Sequence, residues 1–196
     1  MKISAILLGA GKSKRMGRDK LLLPWGKRTI LEHCLQALLR SKVKEVVVVL
    51  GHRKEEMAHR LMGKRVKILF NPNPEKGMSS SIRKGLRALD PNSAGILIGL
   101  GDMPSLKSRT INVMLKAFQR GKRGILLPSF KGRWGHPVIF DRKYKGELLK
   151  LKGDTGGKSI IVKHPEDVFV IPVKSKGVIR DIDTWVDYKK GLRMRG

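Results

Sequence analysis

The stretch Gly9-Ala10-Gly11-Lys12-Ser13-Lys14-Arg15-Met16-Gly17-Arg18-Asp19-Lys20 holds the densest set of residues able to do chemistry. Its three glycines let the backbone approach a ligand closely and turn N–H groups inward. Five cations in the same loop, Lys12, Lys14, Arg15, Arg18 and Lys20, supply positive charge. Together these describe a cradle for a polyphosphate. Two widespread phosphate motifs do not fit. A Walker A loop ending in Gly11-Lys12-Ser13 needs glycine where the chain has Ile6. A dinucleotide fingerprint starting at Gly9 needs Gly or Ala where the chain has Lys14. Neither a P-loop ATPase nor a nicotinamide dehydrogenase is supported.

Other segments add functional groups. Gly101-Asp102-Met103-Pro104 offers a carboxylate that could bind Mg2+, which typically takes one or two carboxylates plus phosphate oxygens and waters. The competing reading is a plain turn, since Asp favours turns. Asp181-Ile182-Asp183-Thr184-Trp185-Val186-Asp187 holds three more carboxylates, of which Asp183 suits the N-cap of a closing helix. Gly77-Met78-Ser79-Ser80-Ser81 precedes a helical pattern, and any of the serines could cap it. Gly132-Arg133-Trp134-Gly135-His136-Pro137 presents an imidazole usable through either nitrogen, beside a tryptophan able to stack on a flat ring. Gly153-Asp154-Thr155-Gly156-Gly157-Lys158 opens a short helix, whose N-terminus suits an anion. His33, His52, His59 and His164 show no metal spacing and read as structural or solvent-facing.

These groups need a scaffold, and the apolar pattern supplies one. Strands are expected at Ile3–Leu8, Val46–Leu50, Val66–Phe70, Ile96–Leu100 and Gly124–Leu127. Helices are expected at Thr29–Leu39, Lys54–Met62, Ser80–Leu89 and Leu106–Phe118. Thr29 and Glu32 have capping-box spacing. The β-branched run Val46–Leu50 reads as a strand buried on both faces. This rhythm makes βαβ units: an α/β fold with a Rossmann-like, mostly parallel sheet and helices on both faces. The last third is less regular, with strands at Pro137–Phe140 and Val168–Val173 and a closing helix at Asp183–Leu192. Ligands of such sheets lie outside the carboxyl ends of the strands, where the loops above fall.

The loop Leu8 to Gly17, followed by Lys20, resembles the signature loop of the nucleotidyltransferases typified by the molybdenum-cofactor cytidylyl- and guanylyltransferases. The resemblance runs in order along nearly the whole chain. It implies a Rossmann-like domain that moves a nucleoside monophosphate from a nucleoside triphosphate to a phosphorylated acceptor. It places Leu8, Gly9, Ala10, Gly11, Lys12 and Ser13 on the nucleotide, Arg15 on the β- and γ-phosphates and Lys20 on the α-phosphate. Asp102 matches a Gly-Asp-x-Pro motif that binds nucleotide and Mg2+, and Asp181 matches an acidic position that completes the metal site. Ser81 matches a serine that contacts the base. His136, in Gly135-His136-Pro137, and Asp154 and Gly156, in the second glycine-rich loop, match the acceptor side. Ala10, the Ser79–Ser81 run and the Gly-His-Pro segment favour the CTP-using branch, although Gly9 departs from the alanine more usual there. Molybdopterin as acceptor, and a molybdoenzyme receiving the finished cofactor, follow from the family alone. The alternatives are a guanylyltransferase, or a sugar- or polyol-phosphate nucleotidyltransferase on the same fold.

Composition narrows the remaining classes. The chain has 196 residues, read as one nucleotidyltransferase domain over 1–196, and 40% are hydrophobic. Lys and Arg total 43 against 16 Asp and Glu, a net charge of +27. Divided at residue 98, the halves carry +14 and +13, so the excess is no basic tail. A polyanionic partner suits this charge. Nucleic acid is the rival reading, and it is disfavoured because aromatics are only 5% of residues and do not interleave with the cations. Cys34 is the sole cysteine, which excludes an internal disulfide and a cysteine zinc cluster. No apolar run approaches the ~20 residues of a membrane span, and Met1-Lys2 leads into a strand without a signal-peptide pattern. The expectation is a cytoplasmic protein with no membrane partner.

Overall fold

The computed structural model describes residues 1–11, 13–51 and 54–194. Along them run β1 (Ile3–Gly9), the hairpin β2 (Pro24–Trp25) and β3 (Arg28–Thr29), α1 (Ile30–Leu39), β4 (Glu45–Leu50), α2 (Lys54–Leu61) and β5 (Lys67–Phe70). Next come α3 (Met78–Ala88), β6 (Gly95–Leu100), α4 (Ser108–Arg120), β7 (Ile125–Phe130), β8 (Arg133–Trp134) and β9 (Val138–Asp141). The chain continues through α5 (Lys145–Lys150), α6 (Lys158–Lys163), β10 (Val168–Pro172) and α7 (Trp185–Arg193).

Eight strands form one sheet in the order β10-β7-β9-β6-β1-β4-β5, with β8 paired to β7. Strand β1 lies between β4 and β6, parallel to both, and β5 continues parallel to β4. Strand β9 is antiparallel to both β6 and β7, so β7 again runs with β6, and β10 runs parallel to β7. Six strands therefore point one way and only β8 and β9 are reversed. The sheet is mostly parallel, as the βαβ rhythm predicts.

The apolar runs divide between two cores because strand side chains alternate faces. Ile3, Ala5, Leu7, Val46, Val48 and Leu97 meet Leu31, Leu35, Met57, Ile111, Met114 and Phe118 from α1, α2 and α4. Ile6, Val47, Val49, Ile96 and Ile98 meet Ile82, Leu86, Leu148 and Ile160 from α3, α5 and α6. Thr29 and Glu32 close a full capping box at the start of α1.

Two expectations at helix ends are corrected. The serines do not precede α3; Ser79, Ser80 and Ser81 sit inside its first turns, with Gly77 at the N-cap. Asp183 is not the cap of the last helix. Thr184 is, because its hydroxyl accepts from Asp187 N–H while the Asp187 carboxylate accepts from Thr184 N–H. The hairpin β2–β3 and the strand β8 leave no mark in the apolar pattern, since two-residue strands carry no readable period.

Candidate active site

Six strands end along one edge of the sheet, and the segments after β1, β5 and β6, with Gly153, Asp154 and Asp183, build a cleft of about 710 Å3 there. Leu8, Ala10, Gly11, Ser13, Arg15, Lys20, Ser81, Asp102, Asp154 and Asp183 all line it. Gly9 does not. It ends β1 facing inward, where a Cβ would press on Leu50 at 3.2 Å. Lys12 lies outside the described residues, as does His52.

The centre of the cleft is an ion-pair cluster. Lys20 Nζ donates to Asp102 Oδ2 at 2.7 Å and to Asp183 Oδ1 at 2.8 Å. Arg15 Nη1 donates to the other Asp183 oxygen at 2.8 Å. The Lys20 side chain is 12% exposed and Arg15 72%, so solvent screens the arginine pair far more than the lysine pairs. Burial pulls the Lys20 ammonium down, but the Asp102 and Asp183 carboxylates outweigh it and hold its pKa above the ordinary value. The same contact with Lys20 holds Asp183 below the usual carboxylate range. Ser13, in the left-handed region at φ 49°, accepts from the Lys20 backbone N–H at 3.1 Å, which ties the loop's two ends together.

Asp102 brings a second feature. Its Oδ1 is buried with no hydrogen-bond partner among the described residues. A buried acceptor without a donor is costly and calls for a ligand. Asp181 is exposed; partial burial and then the charges of Asp183 and Asp102 push its carboxyl upward. Asp102 and Asp183 thus line the cleft while Asp181 lies outside its lining, and Asp183, read from sequence as a helix cap, is the second carboxylate on Lys20, at 2.8 Å beside Asp102 at 2.7 Å. The signal that could have found it is Thr184 with Asp187, whose capping-box spacing leaves Asp183 free for other work.

The segment leading to Asp183 is laid across the sheet edge. Val178 C=O accepts from His136 N–H at 2.8 Å, and Asp102 C=O accepts from Ile182 N–H at 2.9 Å. Because β9 is reversed, the residues just before its start lie at the carboxyl edge, which brings His136 there, although it does not line the cleft. His136 Nδ1 is buried without a partner among the described residues, and burial pushes the imidazole pKa down. Helix α7 anchors the segment from behind. Tyr188 OH donates to Pro24 C=O at 2.6 Å, and Arg18 lies over the Trp185 ring at 5.4 Å.

The opposite wall joins α3 to the second glycine-rich loop. Asp154 Oδ1 accepts from Met78 N–H at 3.1 Å, so a residue far along the chain caps α3. Gly77 has φ +84°, and a Cβ there would run into the Gly153 backbone, so only glycine fits. Gly156 packs against the Met78 sulfur, where a Cβ would stand at 3.2 Å. Beneath, Asn71 Nδ2 donates to Ser80 Oγ at 2.7 Å and to Ser81 Oγ at 2.9 Å. The Ser81 oxygen is thereby engaged as an acceptor, and its proton remains available to the cleft. Sequence reasoning missed Asn71, whose Asn-Pro-Asn-Pro setting reads only as a strand stop. Among the described residues no helix is long and apolar enough to cross a membrane.

Comparison with known proteins places the chain in a family. Residues 5–168 match the model described as the MobA-like NTP transferase domain. The chain is 27% identical over 187 residues to the molybdenum cofactor cytidylyltransferase of Escherichia coli, covering 95% of this chain and 93% of that one. It is 29% identical to the nicotine blue oxidoreductase of Paenarthrobacter nicotinovorans, covering 93% and 92%. Among solved structures, Rv0371c from Mycobacterium tuberculosis superposes with a TM-score of 0.90 at 27% identity, covering 98% of each chain. A complex of Rv0371c with manganese superposes with a TM-score of 0.85 at 25% identity, covering 98% and 99%.

Proposed function

The chain belongs to the MobA-like NTP transferase family of nucleotidyltransferases, and from that premise we propose that it moves CMP from CTP to the phosphate of molybdopterin, with Mg2+. Residues 1–196 act as one nucleotidyltransferase domain. The observation that carries the reading is the single ammonium of Lys20, clasped by Asp102 and Asp183 at the mouth of the glycine-rich loop.

The residues fit a divalent cation. One nitrogen already touches two carboxylates, and Asp102 Oδ1 is a buried acceptor without a donor. Asp102 and Asp183 would hold the ion, with Asp181 beside them, and bound there it would neutralise charge on the phosphate oxygens.

A triphosphate entering the cleft competes with Asp102 and Asp183 for Lys20, and with Asp183 for Arg15. The backbone N–H groups of Ala10, Gly11 and Ser13 and the Arg15 guanidinium receive the β- and γ-phosphates. Lys20 meets the α-phosphate, where negative charge builds during attack. Its raised pKa keeps it charged at neutral pH, so it acts as a fixed positive charge. An oxygen of the acceptor phosphate attacks the α-phosphorus in line, the bond from α-phosphorus to the bridging oxygen breaks, and pyrophosphate leaves. The acceptor monoester has its second pKa at about 6 and is largely dianionic, so no strong general base is required. Positioning and charge neutralisation carry the rate.

Ser81, its oxygen held by Asn71, donates to an acceptor on the base edge; cytosine offers its carbonyl O2 and ring N3. His136, Asp154 and Gly156 form the acceptor side, and a molybdoenzyme receives the product. Similarity to a cytidylyltransferase over 95% of the chain supports the choice of CTP.

Calorimetry with CTP, GTP, ATP and UTP, each with and without Mg2+, tests the reading. A Mg2+-dependent preference for CTP is expected. A preference for GTP moves the activity to guanylyl transfer, and equal, metal-independent binding of all four removes the proposal.

A further inference from the structure

Behind the segment that carries Asp183 lies a second cleft, of about 950 Å3, between the start of α4, residues 172–177 and the end of α7. Lys107, Arg109, Lys174, Lys176 and Arg180 line it, and no Asp or Glu does. Among the described residues none of these five makes an ion pair. Arg180 reaches only the Met194 sulfur, at 2.7 Å.

Two other clefts do hold acidic residues. In the catalytic cleft, Asp102 and Asp183 answer Lys20 and Arg15. At the amino ends of the strands, Lys64 pairs with Glu32 and Lys67 with Glu45. Among the described residues, cations without an ion pair occur elsewhere on this surface, Lys122, Arg142 and Lys150 among them, but this concavity gathers five with no carboxylate in its lining, where low-dielectric walls focus the field. Helix α4 starts here with no acidic residue in its first turn, which adds the same sign.

The walls between the cations are aliphatic. Val113 is 51% exposed and Met194 47%, whereas the Trp25 ring is only 3% exposed. No aromatic face is open for a nucleic-acid base to stack on, which separates this cleft from single-strand nucleic-acid grooves. The segment that walls this cleft runs on to His136. Gly177 packs on the Ser105 backbone where a Cβ would collide, and the next residue, Val178, holds His136.

We propose that this cleft docks an acidic, aliphatic-rich peptide segment of a partner protein. Its carboxylates pair with the five cations and its aliphatic side chains cover Val113 and Met194.

The test is fluorescence anisotropy of the full chain with a short fluorescein-labelled peptide of alternating Glu and Leu. The triple variant Arg109→Glu, Lys174→Glu, Lys176→Glu is compared with Lys122→Glu, Arg142→Glu, Lys150→Glu, which changes net charge equally at exposed sites outside the cleft. The cleft variant loses at least about tenfold in affinity and the other less than about twofold, and binding of the parent chain falls with salt. CTP binding by the cleft variant reports its fold. If it unfolds, the neutral pair Lys174→Gln, Lys176→Gln serves in its place, with a loss of about threefold or more expected. Equal losses from the two triples overturn the proposal, as does an unchanged affinity in the neutral pair. A single-stranded oligonucleotide that binds more tightly than the peptide, and is lost in the cleft variant, also overturns it and makes the cleft a nucleic-acid site.

Discussion

Replacing Asp183 with asparagine removes the carboxylate that holds both Lys20 and Arg15. The size of the effect follows from the two contacts. The Arg15 pair, at 2.8 Å, involves a guanidinium 72% exposed and contributes about 0–1 kcal/mol. The Lys20 pair, also at 2.8 Å, involves an ammonium only 12% exposed. Unit charges about 4 Å apart at an effective dielectric of about 20 attract by ~4 kcal/mol, and desolvation offsets much of that. Asp102 also keeps its hold on Lys20 after the substitution. About 1–2 kcal/mol of competition with an incoming triphosphate is then removed, equivalent to about 5–30-fold. Asp183→Asn is expected to bind CTP more tightly than the parent protein by that factor in EDTA. In Mg2+ the order reverses, because one of the two carboxylates fitted to the cation is gone. Calorimetry under both conditions reads the crossover. Helix α7 is capped by Thr184 and Asp187 and does not depend on residue 183. Metal-free affinity that stays the same or weakens refutes the idea that Asp183 competes with phosphate.

Lys20→Ala is expected to lower turnover by about 10²–10³-fold in rapid-quench assays while CTP affinity in Mg2+ changes far less, and an intact turnover refutes its role at the α-phosphate. Asn71→Leu leaves the buried Ser80 and Ser81 oxygens without their amide donor; it should cost about 1–3 kcal/mol in urea unfolding and weaken CTP binding together. Asp167 tests stability away from the site. Burial pushes its carboxyl up, but hydrogen bonds from Lys143, Tyr144 and the Gly124 N–H outweigh this and hold it at about 2, below the ordinary 3.8. Because the folded pKa is the lower one, its stabilisation is complete above the unfolded value and is lost as pH falls toward about 2. Asp167→Asn should therefore lose about 2 kcal/mol near neutral pH, and almost nothing relative to the parent at pH about 2, in paired denaturant titrations.

The polyphosphate cradle, the βαβ order and the cap of α1 were legible in the chain because each is a local signal. Glycines and cations within one loop, a β-branched run, or Thr29 three residues before Glu32 need no partner from elsewhere. The irregular last third was harder, because β8 has two residues and the reversed strand β9 differs from a parallel one only in its neighbours. That reversal brings His136 to the ligand edge. Tertiary structure also decided which carboxylate meets Lys20. Asp183 lies 163 residues away and looks like a helix cap until the segment before α7 is laid across the sheet. Asp154 caps α3 from 76 residues away, where three local serines offered a closer candidate. The sequence by itself determined the charged loop, the fold class and the family. Only the folded chain decided the pairings, because a carboxylate's partner is set by distance in space, and composition and periodicity carry no record of contacts between remote segments.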